Sequence, residues 1–334
     1  MEFTVRLALI LSLLPLSAQA GPGWDAYTKK NRYHCPGKFK TLESPEEVKF
    51  GKYTYTVNGS HWTVNGPLAT KGKIVAGVLS ALKDPSDGTQ KHVEIFAGWF
   101  RKQRVDLVIA NGDLALNEFD LEAVMEIIGK NFKKIPVLML PGNSESRTSF
   151  NRTVTQMAKK YPNFINGAMV RRLDWNKHTF WTLPGYHDKR FFGTGSACKY
   201  KEDHTLELSR KIDEEPKRNH ILVAHGPPKA KGNIGLDRIM DGTHVGDQKV
   251  TDLIQGSKIK WGIFGHILES GGTVATNFMK RKAAASQKLS SLYFNAGSAC
   301  NFPMSLRGGK DIRGMAAVTR IGFKKSSVIF NIQR

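Results

Sequence analysis

A near-continuous apolar run over residues 105–110 stops abruptly at Asn111-Gly112-Asp113. Such a run suits a strand buried on both faces, as in a parallel sheet. The glycine permits a sharp turn and leaves a carboxylate at the carboxyl end of the strand, the edge where open α/β sheets bind ligands. The same pattern returns three times. An apolar run at 135–140 ends in Pro141-Gly142-Asn143, one at 221–224 ends in His225-Gly226, and one at 259–264 ends in Gly265-His266.

The segments between these runs favour an alternating architecture. Val93, Phe96, Ala97 and Phe100 recur at helical spacing within 89–104, as do Leu121, Val124, Met125 and Ile128 within 119–132. An apolar strand at 74–79 opens the series and leads into Ser80-Ala81-Leu82-Lys83. Strands separated by helices imply right-handed crossovers and a parallel sheet. The second half is richer in strands, with 178–183 before Pro184-Gly185-Tyr186-His187-Asp188 and 292–294 before Asn295-Ala296-Gly297-Ser298. A polar helical stretch covers 204–215, and 315–323 with 327–332 reads as a closing antiparallel pair. No repeat or long linker interrupts 71–334, which reads as one domain.

Residues 21–70 read as an N-terminal extension. Tyr53, Tyr55 and Val57 alternate with polar residues, and Asn58-Gly59 marks a hairpin before His61-Trp62-Thr63-Val64. The expectation is a β-hairpin laid against the main domain. Trp24, Tyr27, Tyr33 and Trp62 either anchor this strap to the core or line a binding surface. Upstream, Arg6 precedes an apolar run at 7–16, and Ser17-Ala18-Gln19-Ala20 supplies a small-x-small cleavage pattern. Residues 1–20 thus read as a signal peptide, too short for a permanent anchor. The expectation is an exported protein, periplasmic or secreted, with no transmembrane anchor after cleavage.

A net charge of +21 favours anionic neighbours, whether nucleic acid, a phosphorylated small molecule or other anionic ligand, or an anionic envelope surface with which the chain associates peripherally; it does not choose among them and suits a merely solvated surface equally. The lysines are scattered in pairs, without a basic arm or specific nucleic-acid motif. Cys35, Cys198 and Cys300 lack metal-cluster spacing. In an oxidising compartment two of them can pair, and the sequence does not say which.

Asp113, Asn143, His225 and His266 thus stand at four strand ends, each beside a glycine. One carboxylate, one amide oxygen and two imidazoles make a mixed N/O donor set suited to Mn, Fe or Zn. In order and spacing the set resembles the calcineurin-like metallophosphoesterase superfamily. Gly112-Asp113 is similar to its Gly-Asp block, Gly142-Asn143 to the start of Gly-Asn-His, His225-Gly226-Pro227-Pro228 to the single-His block, and Gly265-His266 to the opening of Gly-His-x-His. Asn295-Ala296-Gly297-Ser298 resembles a turn frequent in these proteins. The resemblance implies an αββα sandwich of two mixed β-sheets flanked by helices, and hydrolysis of a phosphomonoester or phosphodiester by a metal-bound hydroxide between two metals.

Three departures matter. On the family's Asp-x-His block this chain aligns Ala81 and Lys83, and Leu268 replaces the second His of the last block. An alignment of Val78 and Ser80 with that block restores no ligand either. The first metal therefore keeps only the shared Asp113. By the same mapping the second metal keeps Asp113, Asn143, His225 and His266, so one divalent transition metal is expected and the other site absent. Ser144 stands where the family has a His that protonates the leaving group, and serine is no acid near neutral pH. Glu145 and His187 are the candidate substitutes.

Lys83 is either a solvated loop lysine or an ammonium beside Asp113 that does part of the lost ion's work. In the second case the catalytic set is Lys83, Asp113, Asn143 and His225. Two functions follow: a weakly active, one-metal exported phosphoesterase, or an inactive relative that binds an anionic or phosphorylated partner in the cell envelope.

Overall fold

The structure, a computed structural model, describes residues 21–334. The signal-peptide reading of residues 1–20 lies outside the described residues.

Alternation along the strands sets the layers. In strand Leu107–Asn111, Leu107 and Ile109 face one cluster while Val108 and Ala110 face another. In strand Asn219–Ala224, Ile221 and Val223 enter the first cluster, and Leu222 and Ala224 enter a third. The shared cluster lies between two sheets, because side chains two apart point to the same face. Helices cover the outer faces. Phe96 and Phe100 of helix Asp87–Lys102, Val124 and Ile128 of Leu121–Asn131, and Val154 of Arg147–Lys160 pack against one sheet. Leu208 of Glu202–Asp213 and Val250 of Gln248–Gly256 pack against the other. The result is the αββα sandwich expected from the resemblance.

The first sheet has six strands, with Ile74–Leu79, Leu107–Asn111, Val137–Leu140 and Phe164–Asn166 running parallel. Gly314–Ile321 joins antiparallel to Ile74–Leu79, so the closing pair completes this sheet rather than standing apart. The second sheet has ten strands, at whose centre His178–Leu183, Asn219–Ala224, Trp261–Phe264 and Leu292–Asn295 run parallel. Both sheets are mixed.

The N-terminal extension corrects one expectation. The hairpin of Tyr53–Asn58 and His61–Asn65 exists, with Glu46–Phe50 as a third strand. It is not laid on the domain: His61–Asn65 pairs in parallel with Arg172–Trp175 and carries the ten-stranded sheet outward. An unpaired strand edge leaves backbone donors and acceptors open, and this addition satisfies them. Trp24, Tyr27 and Trp62 are buried anchors, with the Trp24 and Trp62 rings 4.9 Å apart. Tyr33 alone is exposed. Arg171, fully buried, fastens the extension further: its Nη1 donates to the carbonyl of Gly37 at 2.7 Å and its Nε to that of Thr182 at 3.0 Å.

A disulfide joins Cys35 to Cys198, and Cys300 is buried and free. The bridge ties the extension to the segment that follows strand His178–Leu183. Three helices went unread in the sequence, Pro22–Asn31, Arg147–Lys160 and Gln248–Gly256. Each buries only a few apolar residues among many polar ones, so its periodic signal is thin.

Candidate metal centre

Five loops meet where the carboxyl ends of strands from both sheets converge. Lys83 follows Ile74–Leu79, Asp113 follows Leu107–Asn111, and Asn143 follows Val137–Leu140. His225 follows Asn219–Ala224, and His266 follows Trp261–Phe264. The backbone there is unusual: Ala81, Lys83, Asp113 and His266 all have positive φ, between 51° and 73°. Non-glycine residues seldom adopt that region, and such strain concentrates at functional sites.

Close approach explains the glycines. A Cβ at Gly142 would collide with Asp113 Oδ1 and lie 2.8 Å from His225 Nε2. Gly112, at φ 80°, leaves no room for a Cβ beside His225 Nδ1.

Each donor is aimed by a second group. His225 Nδ1–H donates to the carbonyl of Asn111 at 2.8 Å, which leaves Nε2 as a bare lone pair. Asn143 Nδ2 donates to the carbonyl of Phe191 at 2.6 Å, which turns Oδ1 inward to 3.0 Å from His225 Nε2. Asp113 Oδ1 accepts the backbone N–H groups of Asn143 and Ser144, both at 3.1 Å, and lies 3.4 Å from His225 Nε2. Among the described residues both ring nitrogens of His266 are buried without a partner, although the residue as a whole is only partly covered. Asp113, His225 and His266 each offer a ligand atom, and these atoms lie within 4.8 Å of one another.

The electrostatics agree with that arrangement. Burial lowers the pKa of His225 against the pull of Asp113, and brings that of His266 down to about 3. Both imidazoles are neutral at ordinary pH. Burial opposes the charge on Asp113, yet the charge that His225 takes on in acid and the Lys83 ammonium outweigh it and hold the carboxyl below its usual range. Lone pairs of an imidazole, an amide oxygen and a carboxylate therefore converge with no proton between them. Acceptors facing acceptors at hydrogen-bond distance repel unless a cation sits among them, so the residues present fit a metal ion.

Lys83 Nζ donates to Asp113 Oδ2 at 2.8 Å, with both side chains largely buried. Burial works against the ammonium, but Asp113 more than compensates and its pKa is raised. The solvated-loop alternative for Lys83 is therefore set aside. Ala81 donates its N–H to the carbonyl of Gly112 at 2.9 Å and brings no ligand atom. Leu268 lies in the short 3-10 turn Leu268–Ser270.

The two substitutes for the missing acid are placed differently. The Glu145 carboxylate is turned inward onto backbone N–H groups, 2.8 Å from Gly142 N and 3.3 Å from Ala115 N, and it also accepts from Leu114 N. Burial, and then Asp113, push its pKa to about 7. It braces the loops and faces away from solvent. His187 lies behind Tyr186, whose ring centroid is 4.5 Å from His187 and 3.9 Å from His266. Its Nδ1 is 3.9 Å from Asp247 Oδ2. Neither joins the donor cluster.

Sequence reasoning missed the groups that aim the donors: the carbonyls of Asn111 and Phe191, and the rings of Tyr186 and Phe191 against His266. Asn111 could have been suspected from its place beside Gly112-Asp113. Phe191 had no such signal.

The sequence model of the calcineurin-like phosphoesterase family matches residues 84–270, more than half of the chain. The chain belongs to this family. No curated protein matches it in sequence. Among solved structures, one aligns with a TM-score of 0.57 at 14% identity over 77% of this chain and 98% of its own. TT1561 of Thermus thermophilus aligns at 0.51 and 13% identity, covering 77% of this chain and 98% of that one. GAP50, the anchor in the inner membrane complex of Plasmodium, aligns at 0.50 and 11% identity over 78% and 84%. At such identities the likeness is one of fold. Membership of the family implies use of a divalent metal, and Asp113, His225 and His266 are where this chain can hold one.

Proposed function

We propose that this chain is an exported phosphoesterase working with one divalent transition metal, held by Asp113, Asn143, His225 and His266. The convergence of unprotonated lone pairs at His225 Nε2, Asn143 Oδ1 and Asp113 Oδ1 carries the reading. A divalent ion bound there supplies Lewis-acid charge and makes water more acidic.

The chain's own residues supply the remainder. The Lys83 ammonium, fixed against Asp113, is a second positive charge where the family's other metal ligands are missing. It is suited to hold a phosphate oxygen as charge builds on it. The backbone N–H groups of Asn143 and Ser144 fix Asp113 and keep the donor cluster in register. Glu145 is occupied by backbone donors, and Ser144 offers no acid, so the leaving group departs without a proton. Turnover is therefore slow for alkyl esters and faster for aryl esters, whose leaving groups need no proton.

A panel of aryl and alkyl phosphomonoesters and phosphodiesters tests this. We expect aryl esters to react and His225→Ala to abolish the reaction. The second reading is an inactive relative that binds an anionic or phosphorylated partner. Its specific support is the cover over the centre, where Phe191 and Tyr186 lie against His266. A metal-loaded chain inert toward every ester would favour it.

Export is supported by the Cys35–Cys198 disulfide, since such bonds persist in oxidising compartments. Among the described residues no helix is long and apolar enough to cross a membrane. The expected outcome is a mature chain starting near Gly21, read by intact-mass measurement. A retained Met1 in a cytosolic fraction would remove the proposal.

A further inference from the structure

Helices Pro22–Asn31 and Arg147–Lys160 enclose an open groove of about 450 Å³, away from the candidate metal centre. None of Lys83, Asp113, Asn143, His225 or His266 lines it. Lys29 and Arg32 come from one wall and Arg152 and Lys159 from the other, against the single carboxylate of Asp25. Among the described residues none of these four cations forms an ion pair. A chain of net charge +21 has many exposed lysines, and most of them simply keep it soluble. This set differs in facing itself across a concave surface.

The groove is also built. Asn151, buried at its floor, donates through Nδ2 to the carbonyls of Arg32 at 3.0 Å and His34 at 3.1 Å. That fixes the backbone carrying Arg32. The adjacent Cys35–Cys198 disulfide holds the same turn. The Arg32 guanidinium lies 4.7 Å over the ring of Tyr33, which is 56% exposed. From Thr148 to Lys159 the second wall spans about 16 Å at the helical rise of ~1.5 Å per residue. A guanidinium recognises phosphate or sulfate oxygens in pairs, and an exposed aromatic suits the face of a sugar ring.

We propose that this groove binds an anion carrying two or more phosphate or sulfate groups on a sugar-sized frame. It is separate from the metal centre and does not depend on the phosphoesterase reading. Free sugar phosphates and inositol lipid headgroups share the chemistry.

Calorimetric titration of the full mature chain with myo-inositol hexakisphosphate tests it. The double variant Arg32→Gln/Arg152→Gln should bind at least tenfold more weakly, and Lys29→Gln/Lys159→Gln should weaken it similarly. Lys71→Gln/Lys177→Gln removes the same charge outside the groove and should leave affinity within about twofold. An equal loss in that control would mean diffuse charge and would overturn the proposal. Retained binding in both groove variants would do the same. So would loss of binding in His225→Ala, which would put the anion at the metal centre. Vesicles bearing an inositol bisphosphate lipid, compared with phosphatidylserine vesicles and the free probe, distinguish a headgroup from a soluble source. Either source supports the groove when the Arg32 and Arg152 changes abolish it. Tighter binding of single-stranded DNA than of the hexakisphosphate would assign the face to nucleic acid and overturn it.

Discussion

Protein purified without chelators is expected to carry one divalent transition-metal ion per chain, and His225→Ala or His266→Ala to lose it. The physical reason is the state of the donors. His225 presents a bare Nε2 because its other nitrogen is committed to Asn111, and His266 has two buried nitrogens with nothing to bond. A buried polar atom without a partner costs about 1–3 kcal/mol, and a bound ion removes that cost. Losing a group that merely supports a ligand weakens metal affinity about 10–100-fold, so losing a ligand should cost at least that much. Elemental analysis of the parent and the two variants reads the result. Two ions per chain would mean that Ala81, Lys83 and Leu268 do not empty the family's first site. A metal-free parent after supplementation with Mn, Fe and Zn would sink the centre altogether.

Lys83→Ala is expected to keep its metal and to lose activity toward an aryl phosphoester by on the order of 10²-fold, the range for removing one preorganised electrostatic donor. Lys83 Nζ is 2.8 Å from Asp113 Oδ2 and mostly buried, so its charge acts in a medium where water screens little. Metal content must be measured on the same sample, because Asp113 loses a partner as well. A folded, metal-bound Lys83→Ala protein with parental activity would remove Lys83 from the chemistry. The converse experiment rebuilds the family's donors with Ala81→Asp, Lys83→His and Leu268→His. It should add a second ion per chain and speed aryl ester hydrolysis. Ala81 and Lys83 already hold positive φ, so the loop has a set shape onto which ligand side chains are placed. A triple variant that still binds one ion would show that these positions do not correspond to the family's first-metal ligands.

Local residue pattern was enough to place the main strands and their ends. The runs at 107–110 and 221–224 are apolar at every position facing either layer, and a glycine beside a polar residue follows each one. That information is local, carried by neighbours in the chain, and it was enough to single out Asp113, Asn143, His225 and His266; Lys83 came from the resemblance to the family. Thinly apolar helices escaped it: Arg147–Lys160 buries Phe150, Val154 and Met157 in an otherwise polar stretch.

What those residues face is set by contacts between distant parts of the chain. Asn143 is aimed by a carbonyl 48 positions away, and Cys35 pairs with a cysteine 163 positions away that the sequence could not prefer over Cys300. The same holds for Glu145 and His187, equal candidates as acids until one proved to brace backbone N–H groups and the other to lie behind Tyr186. Periodicity reports which face of an element is apolar. Which side chain meets which across two sheets depends on their pairing and packing, and those are set by the whole chain at once.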